Sequence, residues 1–130
     1  MFKQIAFFKR KEGLTHEEFR DYYENNHVRI RLSQEKPRDL ERYVRRYLTP
    51  VADPIAGELR ISGFDVVTEL WFKDKAAWER YRRRSLNPEI RKVAAEDEEK
   101  YLDRNNLYFH TVDECDTDMS VYPDTSPDEP

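Results

Sequence analysis

Two segments of this 130-residue chain carry apolar side chains at odd and even positions alike. In Phe2 to Lys9, Ile5 and Phe7 alternate with Ala6 and Phe8. In Phe64 to Phe72, Val66, Leu70 and Phe72 alternate with Val67 and Trp71. A period of two with apolar groups on both sides describes a strand in a sheet that is covered on both faces. The rest of the fold must supply two covers. Apolar residues make up only 38% of the chain, but eight Tyr, seven Phe and two Trp are among them. Aromatic rings bury large areas per residue, so few of them can build a core.

The intervening segments fall into a definite order. Lys11-Glu12-Gly13 is a turn, and Thr15-His16-Glu17-Glu18 is a capping box that starts a helix. Phe19, Tyr22, Tyr23, Asn26 and Ile30 continue it at helical spacing to about Leu32. His16, in its first turn, is expected to face solvent. Ser33 to Arg38 is a loop and Leu40 to Thr49 a second strand, stopped by Pro50 and Pro54. Val51 to Gly63 is a long connection, and Phe64 to Phe72 is the third strand. Asp74 caps a helix with Ala77, Trp78 and Tyr81. Asn87-Pro88 starts another, with Asn87 as N-cap and Pro88 where its missing N–H costs nothing. Leu107 to Val112 is a fourth strand. The order β-α-β-β-α-β predicts an α+β, ferredoxin-like fold: a four-stranded antiparallel sheet with helices on one face. The second face then calls for a second subunit, so a homodimer joined through the sheets, a dimeric α/β barrel, is expected.

Charge excludes several functions. With 23 basic and 27 acidic side chains the net charge is -4, which offers nucleic acid no general attraction. Residues 1–50 hold 12 Lys/Arg against 8 Asp/Glu, and much of the later acidic excess lies in Glu96 to Glu99 and beyond Cys115. Residues 115–130, acidic and containing Pro123, Pro127 and Pro130, are expected to be disordered or to wrap the partner subunit, leaving residues 1–114 as the domain. No apolar run reaches the roughly 20 residues of a membrane span. The segment Met1-Phe2-Lys3-Gln4 lacks the apolar stretch of a signal peptide, so a cytoplasmic location is expected. A single cysteine and three scattered histidines suggest no metal site, and three glycines leave little room for a phosphate-binding loop.

Helical arithmetic singles out two ionisable groups. Ile90, Val93, Ala94, Asp97 and Tyr101 fall at i, i+3, i+4, i+7 and i+11, so Asp97 lies on an apolar stripe. His27, four residues after Tyr23 and eight after Phe19, lies at or near the inward face of the first helix. The second strand can present Tyr43 and Tyr47 to them, with Arg46 on the opposite alternation. One reading is a pocket in which His27 and Asp97 move protons, because imidazole titrates near neutrality and burial favours the neutral form of a carboxyl. The other is a buried pair that orders the fold. His110, within the last strand, could face either the pocket or the dimer interface. Arg80 to Arg84 reads as a solvated basic face.

Four stretches resemble the EthD-domain family of the dimeric α/β-barrel superfamily. They are Phe7-Phe8-Lys9-Arg10-Lys11-Glu12-Gly13-Leu14-Thr15 with Glu18-Phe19; Tyr22-Tyr23 to His27; Phe64-Asp65 with Glu69 to Asp74; and Glu96-Asp97-Glu98 leading to Val112-Asp113-Glu114. The resemblance implies an apolar cleft that activates a phenolic or enolisable substrate without a bound cofactor. The implied chemistry is that of a lyase (decarboxylase or dehydratase) or a cyclase on an aromatic, polyketide-like molecule. A cofactor-free monooxygenase and a non-catalytic binding dimer are the alternatives. In this reading His27 is the general acid/base and Asp97 orients it or moves a second proton. Tyr23, Tyr43 and Tyr47 position substrate oxygens, Trp71 and Phe7 stack on rings, and Arg46 completes the substrate-binding set.

Overall fold

The two segments with apolar groups on both faces are the two inner strands of the sheet. In the computed structural model, which describes residues 1–28 and 36–125, β1 (Phe2–Arg10), β2 (Leu40–Tyr47), β3 (Val66–Phe72) and β4 (Leu102–Thr111) pair antiparallel in the order β2-β3-β1-β4. An inner strand has no solvated edge and, here, no wholly polar face. The expected ends of the first helix near Leu32, with Ile30, and the tail's Pro127 and Pro130 lie outside the described residues.

Helix α1 (His16–Tyr22) begins at the expected capping box: the Glu18 amide donates to Thr15 Oγ1 at 3.1 Å, and the Thr15 amide donates to Glu18 Oε1 at 3.1 Å. It does not continue as a uniform α-helix. Tyr23–His27 is a π-helical stretch. A π-turn widens the helix, is rare, and occurs frequently at functional sites. Here it buries both Tyr23 and His27, four residues apart, against one face of the sheet. Helices α2 (Lys75–Arg84) and α3 (Pro88–Tyr101) carry the expected caps, Asp74 accepting from the Ala77 amide and Asn87 from the Glu89 amide, both at 2.9 Å.

The core lies between the helices and one sheet face. Phe19, Tyr23 and Tyr101 pack with Ala6, Phe8 and Val66, while Ala77 packs with Leu40, Leu70 and Phe72. Alternation along β1 and β3 is strict: Gln4, Ala6, Phe8, Val66, Thr68, Leu70 and Phe72 are buried beneath the helices, and the residues between them are only partly buried. Those between face the uncovered side.

Several strand boundaries differ from expectation, and β2 ends at Tyr47 rather than Thr49. β3 starts at Val66 rather than Phe64, although the Asp65 amide still donates to the Phe8 carbonyl and its carbonyl accepts from the Leu48 amide, both at 2.9 Å. β4 starts at Leu102, five residues early. Leu102 is buried and pairs with Arg10, and the register then shifts before Leu107 pairs with Phe8. Asp103 supports that irregularity by accepting from the Asn105 amide at 3.0 Å and the Asn106 side chain at 2.8 Å. Four consecutive polar residues conceal the strand from any hydrophobic pattern. Beyond β4, residues 112–125 hold one 3-10 turn, Met119–Val121, whose apolar side chains are exposed.

Candidate active site

His27 and Asp97 are brought together by the end of the π-helical stretch and the third turn of α3. His27 Nδ1 lies 2.6 Å from Asp97 Oδ2, and both residues are almost fully buried. The Tyr22 hydroxyl donates to the other carboxylate oxygen, Oδ1, at 2.7 Å. Asp97 thus accepts on both oxygens, an arrangement suited to an ionised carboxylate. Burial pushes the Tyr22 phenol up to about 12, and the hydrogen bond to Asp97 and its charge add to the rise. With Nδ1 directed at a carboxylate, the proton of a neutral imidazole sits on Nδ1, and Nε2 is left as the basic nitrogen. Tyr23 and Tyr101 hold the imidazole plane, with ring centroids at 5.2 and 5.4 Å.

Beside this pair is a cleft of about 590 Å³ between the covered sheet face and helices α2 and α3. Gln4, Ala6, Thr68 and Leu70 form its floor, and Tyr23, His27 and Tyr43 one wall. The Tyr23 and Tyr43 hydroxyls are 3.0 Å apart. A volume of this size accommodates a small organic ligand. Asp97 does not line the cleft, so it reaches a ligand only through His27.

Tyr47 belongs to a polar cluster behind that wall. Its hydroxyl donates to Glu24 Oε2 at 2.6 Å, and Arg45 donates to both Glu24 oxygens, at 3.0 and 2.7 Å. The Arg45 hydrogen bond holds the Glu24 carboxyl below its usual range, against the opposing effect of burial. Burial, then the bond to Glu24, raises the Tyr47 phenol far above its ordinary value. Glu24 and Arg45 are not among the site residues expected from the sequence. Yet Arg45 alternates with the inward Tyr43 and Tyr47, and a cation on an inward alternation needs a carboxylate partner.

Phe7, Arg46 and Trp71 do not join the cleft. Strand alternation places all three on the uncovered sheet face, opposite the buried Ala6, Phe8, Leu70 and Phe72. There Arg46 pairs with Glu69, and the Trp71 indole donates to Glu69 Oε1 at 2.9 Å. Lys3 Nζ and Arg42 Cζ lie 3.6 and 4.3 Å from the Trp71 ring centre. Phe7 packs on Phe64 and on His110, at 5.6 and 5.8 Å, so His110 also belongs to this face. The two sides of one strand cannot both contact a single cleft.

His16 corrects another expectation. It is half-buried, and its Nδ1 lies 2.9 Å from Asp65 Oδ1. Asp65 also accepts from the Arg10 amide and guanidinium, each at 2.8 Å. Burial works to raise the Asp65 carboxyl, but the bonds from His16 and Arg10 outweigh it and hold the group below its usual range. This hub borders a larger groove of about 800 Å³ that contacts neither His27 nor Asp97. Among the described residues no three His, Cys, Asp or Glu side chains converge as metal ligands, and no helix is long and apolar enough to cross a membrane.

Comparison with known proteins fits this architecture. A crystal structure of an ethyl tert-butyl ether D (EthD) family protein from Bacillus halodurans superposes with a TM-score of 0.57 at 22% identity, covering 88% of this chain and all of that one. The Arabidopsis thaliana protein At3g17210 gives 0.56 at 13% identity, covering 91% and 99%. At such identities the likeness speaks for the fold. No curated protein matches the sequence. The EthD domain model, however, matches residues 11–105, from the turn before α1 through both members of the His27–Asp97 pair to the start of β4. The chain belongs to the EthD domain family.

Proposed function

We propose that the chain is a cofactor-independent lyase or cyclase that acts on an aromatic, phenolic or enolisable small molecule by general acid/base catalysis. The observation that carries this reading is the 2.6 Å His27–Asp97 contact at the wall of an open cleft. His27 Nε2 takes a proton from a phenolic O–H or from a C–H beside a carbonyl, and returns it where the rearranged molecule needs it. Asp97 is a positioning residue: it fixes the ring and stabilises the imidazolium that forms. The Tyr23 and Tyr43 hydroxyls, one donating to the other, form the polar point of the cleft wall against which the substrate oxygen that gains negative charge is held. Loss of carbon dioxide, loss of water and ring closure all use this same proton traffic.

The tightness of the dyad also suits a purely structural pair in a non-catalytic binding domain. A structural pair is usually sealed by side chains, whereas this one adjoins about 590 Å³ of space. We further propose that the uncovered sheet face, with Ile5, Phe7, Val67 and Trp71, meets a second copy of the chain as a homodimer.

The test is turnover on a panel of ortho-hydroxy aromatic acids and poly-β-ketones, followed by carbon dioxide release and absorbance. General acid–base catalysis contributes about 10²–10⁴-fold, and His27→Ala is expected to lose that factor. Asp97→Asn should lose less and shift the pH profile. Wild-type turnover in both variants on a substrate so identified contradicts the assignment.

A further inference from the structure

Four arginines, Arg82 and Arg83 from α2, Arg91 from α3 and Arg104 from β4, line the cleft that holds His27, and all four are exposed. The buried lining residues, among them Ala6, Thr68 and Leu70, carry no charge apart from the imidazole. The cleft therefore runs from an apolar and aromatic interior to a cationic rim. One acidic side chain, Glu98, lines it, and that carboxylate is engaged by Arg104. Arg82 lies over the Trp78 ring at 5.5 Å, and Arg83 and Arg91 have no carboxylate partner among the described residues. The run read from sequence as a solvated face thus contributes two members to the cleft.

Three guanidinium groups without a carboxylate, around one opening, repel each other and concentrate anions there. A guanidinium fork matches a carboxylate through two parallel hydrogen bonds. We propose that the substrate is an aromatic acid: its ring enters the cleft toward His27, and its carboxylate rests on the rim formed by Arg82, Arg83 and Arg91. The carboxylate is an anchor there, because the cations stabilise its charge. Reaction takes place at the ring end, so among the reactions proposed above this orientation selects loss of water or ring closure over loss of the anchoring carboxylate. This assignment rests on the cleft being the substrate site and adds the charge and orientation of what occupies it.

The experiment compares binding of 1-naphthol, 1-hydroxy-2-naphthoate and 1-naphthyl phosphate by calorimetry, with the His27 imidazole signals followed by NMR. The expected result is that the naphthoate binds at least about tenfold tighter than the naphthol at about 20 mM salt. Charge screening should narrow the gap at about 300 mM. The Arg83→Gln/Arg91→Gln double variant should lose the gap while keeping its affinity for 1-naphthol, which also shows that it is folded. Arg84→Gln, on the same helix but outside the cleft, should retain it. Equal binding of naphthol and naphthoate, or a gap that survives the double variant, overturns the anionic assignment and leaves the cleft standing. Preference for the phosphate alone overturns the carboxylate. If neither naphthol nor naphthoate disturbs His27, the cleft is not the ligand site and both readings fall.

Discussion

Asp65 is the carboxylate whose removal tests most simply how this fold holds its parts together. It stands immediately before β3 and accepts three hydrogen bonds, from the Arg10 amide and guanidinium at 2.8 Å and from His16 at 2.9 Å. It thereby ties the end of β1 and the start of α1 to the entry of β3. Asp65→Asn keeps the size and one acceptor oxygen but removes the charge. A hydrogen bond to a charged group contributes about 1.5–3 kcal/mol against about 0.5–1.5 for a neutral one, so each bond should weaken by about 1 kcal/mol. The Arg10 and His16 side chains are 43% and 32% exposed, and solvent screening reduces their share. The net loss is then about 1–2 kcal/mol, or roughly 4–8 °C in Tm for a domain of this length.

The sign of the pH dependence follows from the lowered carboxyl. A group whose folded pKa is depressed stabilises the fold above its unfolded value, about 3.9 for Asp, and loses that contribution as pH falls through the folded value. Urea midpoints of wild type and Asp65→Asn should therefore differ fully at pH 7 and pH 5 and converge below about pH 4. A gap that stays constant down to pH 3, or no gap at pH 7, refutes this account of the hub.

Two further perturbations bear on the site and on the uncovered face. In Asp97→Asn the Tyr22 phenol keeps its burial but loses the carboxylate beside it, so its pKa should fall from about 12; a ¹³C NMR titration of the tyrosine ring carbons reads this, and an unchanged value contradicts the Tyr22–Asp97 bond. Light scattering at micromolar concentration should give the mass of two chains for wild type and of one for Phe7→Glu/Val67→Lys with unaltered circular dichroism; a monomeric wild type ends the proposal of a sheet-to-sheet homodimer.

Much of the architecture is legible because local signals agree with one another. The Thr15 box, the Asp74 and Asn87 caps and the double-faced β1 and β3 each imply their element without reference to the rest. Asp97 is legible for the same reason: a carboxylate on a helical stripe of Ile90, Ala94 and Tyr101 must find a partner. What escapes is set by tertiary contacts. The π-stretch at Tyr23–His27 is a single turn, too short for its wider i→i+5 spacing to leave a pattern distinct from that of an α-helix. The first turns of β4 are polar and form because Leu102 is buried and Asp103 caps the bulge. Asp65 gives no periodic signal, since its role is to gather donors from two distant segments. Residue type suggests Phe7 and Trp71 as ring contacts, but strand alternation places both, with Arg46, on the other face.

The geometry of the dyad implies that Asp97 holds the His27 imidazole with its proton on Nδ1, which makes Nε2 the basic nitrogen of a residue that lines the cleft. Long-range ¹H–¹⁵N correlation above pH about 8, where an ordinary imidazole is neutral, reads the tautomer directly. The account predicts a protonated Nδ1, an unprotonated Nε2, and a shift of the Nε2 resonance when 1-naphthol is added. A protonated Nε2, or an Nε2 signal that ignores a bound phenol, contradicts it.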